Sequence, residues 1–227
     1  MKYKNIVEGK LINRENRFIA TVDINGNLVR VHVPNTGRCK EIFIPGARVI
    51  LEKSNNPKRK TPYSLVSTYK GDLLINIDSQ APNKIVKEAL TGKKLFSDIS
   101  YLKPEYSYGD SRFDFYFERS DKKCFMEVKG VTLEKDSIAM FPDAPTLRGK
   151  KHIEGLIEAS SKGYVAYILF LIQMETISSF IPNLKMDPSF SNALKFAKES
   201  GVNILCYDSL VSKDEVVFNK SVPLLNW

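Results

Sequence analysis

The sequence predicts an α+β protein of two domains: an OB-like small β-barrel over residues 1–80, then an α/β/α domain over residues 81–227. Three observations predict it. The first part holds five or six short runs of β-branched and aromatic residues. From about residue 81, stretches of helical period alternate with apolar runs. The charge excess is confined to the first part: residues 1–79 carry 14 Lys+Arg against 7 Asp+Glu, a net +7, whereas residues 80–227 carry 20 against 19, a net +1. A basic domain ahead of a nearly neutral one suits a division between holding a polyanion and a second task.

Composition narrows the class further. A hydrophobic share of 43% over 227 residues is enough for a sizeable core. No apolar run approaches the length of a membrane span, and the opening MKYKNIVEGK lacks the apolar stretch of a signal peptide, so a cytoplasmic protein is expected. Cys39, Cys124 and Cys206 are odd in number and far apart, which argues against a disulfide framework or a CxxC zinc site and for reduced, buried thiols.

The elements follow in order. IVEGKLI (6–12), RFIATVDI (17–24) and LVRVHVP (28–34) read as strands, with Asn25-Gly26-Asn27 as a hairpin turn between the last two. RVILEK (48–53), YSLVSTYK (63–70) and DLLINID (72–78) continue the series, and this many short strands suggest a barrel. Two loops carry cations: PNTGRCK (34–40), with Arg38 and Lys40, and SNNPKRKTPY (54–63), where Lys58, Arg59 and Lys60 lie between two prolines that stiffen the loop. APNKIVKEALTG (81–92) has Pro near its start, Ile85, Val86, Ala89 and Leu90 at helical spacing, and a Gly stop. SRFDFYF (111–117) and CFMEVKGVTL (124–133), joined by ERSDKK, read as a hairpin. TLRGKKHIEGLIEASSKG (146–163) is a helix and YVAYILFLI (164–172) a central strand covered on both faces. DPSFSNALKFAKESG (187–201) is a helix and VNILCYDSL (202–210) a strand.

The hairpin carries the chemistry. Side chains alternate along a strand, so Glu127 and Lys129 share a face, and Asp114 on the partner strand can face them while Phe113 and Phe115 pack behind. Asp and Glu are poor strand residues, and SRFDFYF and FMEVKGV would be better strands without them. Two carboxylates and one ammonium converging on a point suit a divalent metal and an attacked phosphate, with Lys129 placed to orient water or to stabilise charge building on the phosphate. The expected chemistry is at a phosphodiester, with Mg²⁺ or Mn²⁺ as the expected cofactor and Asp114 and Glu127 as the expected metal ligands.

An Asp strand followed by Glu-x-Lys resembles the PD-(D/E)XK nuclease superfamily. Over the whole chain, PNTGRCKEIFIPGARV, SNNPKRKTPYSL, NKIVKEAL, SRFDF, MEVKGVTL, AMFPDAPTLRGKKH and GVNILCY resemble consecutive blocks of the sugar fermentation stimulation protein A (SfsA) family. The resemblance implies an N-terminal OB-like domain, a C-terminal restriction-endonuclease-like domain and DNA binding without marked sequence preference. It puts Asp114, Glu127 and Lys129 at the three motif positions, Glu88 at the helix acid that some superfamily members add to the metal shell, and Lys150 or Lys151 at a second-helix polar position near the phosphate. Lys150 stands where many relatives would have Gln. His152, a lone helix histidine, reads as a structural hydrogen bonder before a general acid, and Asp143 as a cap or turn residue of the following helix. Two functions stay open: a metal-dependent DNA nuclease, or a non-catalytic, sequence-nonspecific DNA-binding regulator linked to sugar (maltose) metabolism.

Overall fold

The structure is a computed structural model describing Met1–Trp227. Six strands open the chain: β1 (Ile6–Arg14), β2 (Ile19–Ile24), β3 (Asn27–His32), β4 (Arg48–Lys53), β5 (Tyr63–Lys70) and β6 (Leu73–Asn76). The β2–β3 turn forms where the sequence places it, with Asn25 and Gly26 both at positive φ, as a tight two-residue hairpin requires. β1 pairs antiparallel with β2 and β4, and a parallel contact between His32 and Ser64 joins β3 to β5. The ring β1-β2-β3-β5-β4 is therefore closed, a five-stranded OB barrel with β6 appended to β5. Leu11, Ala20, Val22, Val31, Val49, Leu51 and Leu65 fill its interior and are fully buried.

The second part begins with α1 (Ala81–Thr91), which carries Pro in its first turn and ends at Gly92. It continues through β7 (Ile99–Tyr108), β8 (Ser111–Arg119), β9 (Lys122–Val131), β10 (Leu133–Lys135), β11 (Ile138–Phe141), α2 (Leu147–Ser161), β12 (Val165–Ile172), β13 (Ser179–Pro182), α3 (Pro188–Glu199), β14 (Asn203–Val211) and β15 (Val216–Ser221). A six-stranded mixed sheet in the order β15-β14-β12-β9-β8-β7 is the scaffold, with parallel β9, β12 and β14 at its centre. The apolar residues of α1 pack on one face with Phe115, Phe117, Met126 and Leu169. Those of α2 and α3 pack on the other with Phe125, Ala166, Ile168 and Phe170. The result is an α/β/α layering. β10, β11 and β13 form a small separate sheet.

The two parts are fastened together. Tyr3 N–H donates to Asp214 O at 2.8 Å and Val216 N–H to Met1 O at 2.9 Å, so the first residues of the chain lie against the second domain. Gln173 Nε2 donates to Asn76 Oδ1 at 2.8 Å, and Lys70 Nζ donates to Glu134 Oε2 at 2.6 Å. One apolar cluster of 35 buried residues runs through both parts. No helix is long and apolar enough to cross a membrane. Cys39, Cys124 and Cys206 are free and buried, and burial pushes the Cys39 and Cys206 thiols up to about 12.

Candidate active site

β8 and β9 are joined by a turn in which Ser120 and Asp121 both have positive φ, which fixes the register Phe117↔Cys124 and Phe115↔Met126. Backbone pairing stops there. At the next position the Asp114 carboxylate takes the place of a strand partner, its Oδ2 accepting from Val128 N–H at 2.8 Å. Asn83 Nδ2, in the first turn of α1, donates to Asp114 Oδ1 at 2.7 Å. β8 rotates at this point, opposite Glu105, whose φ is 53°. As a result Phe113 joins the core under α2 and Phe115 the core over α1. The expectation that the two rings share a face is corrected: Asp114 sits at a break in the alternation rather than within it.

Glu127 and Lys129 do share a face, and α2 covers it. Glu127 is 2% exposed. Its Oε1 accepts from Lys129 Nζ at 2.7 Å and contacts His152 Nδ1, while its Oε2 is buried with no partner. Lys129 Nζ is 3.3 Å from His152 Nδ1, and Arg148 Nε donates to His152 Nε2 at 3.4 Å. That donation leaves the imidazole proton on Nδ1, against Glu127. The aim of α2 is set at both ends of its contact with the site. Thr146 Oγ1 caps it by accepting from Gly149 N–H, and Asp187, the α3 cap, accepts from Thr146 N–H at 2.8 Å. Further along, a Cβ on Gly155 would lie 2.5 Å from Ser111 Oγ, so only glycine lets α2 settle this closely on β8.

The charges are unevenly held. Burial, then repulsion from Glu127, raises the Asp114 carboxyl above the ordinary range. Burial also pushes Glu127 up, but hydrogen bonding to His152 and the Lys129 charge outweigh it and hold the carboxyl below its usual value. Two acids whose charges repel each other, one with an orphaned buried oxygen, are a donor set that a hard cation would satisfy.

Not every residue expected here arrives. Glu88 lies five positions, about 140°, around α1 from Asn83, is exposed, and takes the Met1 ammonium at 2.7 Å. The expectation of a helix acid in the metal shell is corrected, and no group of three His, Cys, Asp or Glu side chains gathers anywhere in the chain. Lys150, about 200° around α2 from His152, faces α3 and pairs with Glu154 at 3.8 Å. It does not reach the acids, and Lys151 is exposed without an ion pair. Asp143 does not cap α2; its Oδ2 lies 4.0 Å from Cys39 Sγ across the interdomain cleft. Arg38 and Lys40 are exposed and unpaired on the loop after β3, and Arg38 lines that cleft. Lys58 and Lys60 are exposed on the β4–β5 loop, where Arg59 donates to Ser64 Oγ at 2.9 Å. Asn83 and Arg148 carry no sequence signal of their own. His152 has one only in its helical offset from the residues that pack α2 on the sheet.

Two family models match the chain: the SfsA N-terminal OB domain over residues 12–77 and the sugar fermentation stimulation protein RE domain over residues 80–215. A sugar fermentation stimulation protein homolog of Clostridium beijerinckii is 53% identical over 99% of this chain and 100% of its own length. A homolog from Ruminiclostridium cellulolyticum is also 53% identical, over 99% of each. Among solved structures, Pyrococcus furiosus SfsA in complex with Ca²⁺ superposes with a TM-score of 0.88 at 28% identity, covering 100% of this chain and 98% of that one.

Proposed function

The chain belongs to the sugar fermentation stimulation protein family, SfsA, and on that premise we propose that it is a DNA-binding protein whose second domain hydrolyses phosphodiester bonds with a divalent metal. The observation that carries the reading is the buried, partnerless Glu127 Oε2, in a carboxylate that a lysine and a histidine contact and whose charge is felt by Asp114. Mg²⁺ or Mn²⁺ suits two carboxylates supplemented by water and phosphate oxygens, and the Ca²⁺ in the Pyrococcus furiosus relative's structure supports a divalent cation in this family. When bound, such an ion polarises a phosphoryl oxygen and makes water a stronger nucleophile.

The chain's own residues supply the remainder. Attack of water on phosphorus forms one P–O bond and breaks the bond to the leaving oxygen, so negative charge builds on the phosphoryl oxygens. The Lys129 ammonium, 13% exposed at its side chain and held at 2.7 Å by Glu127, is preorganised to stabilise that charge in a site sheltered from water. His152 keeps a proton on Nδ1 against Glu127, and Arg148 holds its other nitrogen. Asn83 and Val128 N–H fix both Asp114 oxygens, so the acid does not swing away when the site is empty of substrate.

One observation favours a second reading, a non-catalytic DNA-binding regulator: no third acid joins the pair. Cleavage decides between them. Purified protein should cut DNA with Mg²⁺ or Mn²⁺ and leave it intact in EDTA, and K129A should lose roughly 100-fold or more in rate. Inactivity on single-stranded, duplex and branched DNA with either metal would leave the regulator.

A further inference from the structure

A second concave surface is left unused by the metal site. Between the barrel and the sheet domain lies a cleft of about 540 Å³, lined by Arg17, Thr36 and Arg38 on one side and Gly130, Thr132 and Asp143 on the other. Its barrel wall is built from within. The Arg14 guanidinium, stacked 4.4 Å over Phe43, donates to the carbonyls of Arg17, Asn35, Gly37 and Arg38 at 2.8 or 2.9 Å. With those carbonyls turned toward Arg14, the N–H groups of the exposed Thr36 and Arg38 donate to nothing in the chain. The side chains of Arg17 and Arg38 are exposed and make no ion pair. Free backbone N–H groups flanked by unpaired guanidinium groups are an anion-binding arrangement.

The cleft adjoins the acids. β9 loses its β8 partner at Asp114, whose carboxylate takes Val128 N–H, and Gly130 lies two residues further along that open edge, roughly 7 Å away. The walls do not part easily, because the Lys70–Glu134 and Gln173–Asn76 contacts join the domains. At the back they touch: a Cβ on Gly37 would lie 2.8 Å from Asp143 Oδ2. The volume is that of a small-molecule pocket, room for one nucleotide and not for a base-paired duplex. Asp143 repels phosphate from the deep end but can accept from the exocyclic amino group of a base, so a phosphate belongs at the arginines of the mouth and a base inside.

We propose that this cleft takes one nucleotide of a single DNA strand, next to the phosphate that the acids address, so that the protein prefers single-stranded DNA over intact duplex. The proposal rests on the metal-dependent hydrolysis reading for what lies beside the cleft, and its test is a binding measurement that needs no cleavage. Fluorescence anisotropy in EDTA would compare a labelled oligonucleotide of about 12 nucleotides, within the span of an OB domain, with the duplex of the same sequence. The single strand should bind at least ~10-fold tighter. R17A/R38A should weaken single-strand binding by ~10-fold and lower the magnitude of its log–log salt slope by about 1.4, from two lost phosphate contacts at about 0.7 each. T36E, at an exposed rim position that should leave folding intact, should weaken it in the same direction. Equal affinity for duplex and single strand, or an unaltered affinity and slope in R17A/R38A, overturns the proposal. A single-strand preference without cleavage would retain the cleft and remove the hydrolysis reading; cleavage without the preference would do the reverse.

Discussion

Asp114 is pulled two ways. Its carboxylate ends the β8–β9 pairing and accepts from Val128 and Asn83, yet burial and Glu127 raise its pKa, so the folded protein holds the proton more readily than the unfolded chain. Above the ordinary Asp value of about 3.9, ionised Asp114 therefore works against folding unless a cation compensates. D114N removes that repulsion and keeps a hydrogen-bonding amide. In EDTA at neutral pH the variant should melt within about 3 °C of the wild type or above it. Mn²⁺ should raise the melting temperature of the wild type and not of D114N, and cleavage should fall by more than ~100-fold. A loss of many degrees in EDTA would mean that Asp114 serves the fold and not a metal. At this scale the sequence shows the acids well, because Asp and Glu in strand-forming runs stand out. It shows their neighbours poorly. His152 and Lys150 are two residues apart on one helix, and only the docking of α2 on β8 and β9 decides which of them faces Glu127.

Between elements, the β5–β10 tie is sensitive to acid. Lys70 donates to both the backbone oxygen and the Oε2 of Glu134, and Glu134 also accepts from Ser137 N–H. Burial raises the Glu134 carboxyl, but these bonds outweigh it and hold its pKa below the usual value. A depressed carboxylate contributes stability that is present above its unfolded pKa, about 4.3, and is lost as pH falls through the folded value. E134Q should thus cost about 1 kcal/mol at pH 7, within the range of partly exposed pairs, and the difference from wild type should shrink in thermal melts as pH falls below the unfolded value and vanish once Glu134 is protonated in the folded state. A difference that persists in acid would assign the effect to packing. Elements with strong local signals are legible in the sequence: the Asn25-Gly26 hairpin, the α1 stop at Gly92, the apolar run of β12. β7 is not, since ISYLKPEYSY contains Pro104 and mostly exposed side chains and pairs on one side only, at the sheet edge. β10, β11 and β13 are three or four residues each and depend on long-range pairing, parallel between β11 and β13 across some forty residues and between Phe180 and Leu224, that no local pattern announces.

For the whole molecule, the architecture expected from the sequence holds, with an OB barrel ahead of a mixed α/β domain. What composition does not reveal is how tightly the two are joined. Met1 and Tyr3 reach the β14–β15 end of the sheet domain, and a shared apolar core and a buried Asn76–Gln173 contact fix the barrel over the open edge of β9. That placement sets a cleft with free arginines beside a pair of acids with an unmet need for charge. The acids are the centre of this arrangement, and anomalous diffraction from a Mn²⁺-soaked crystal tests them most directly. A peak between Asp114 and Glu127, within coordination distance of both and absent from a crystal of E127Q, is expected; an empty site at saturating Mn²⁺, or a peak unchanged in E127Q, would contradict a metal centre here.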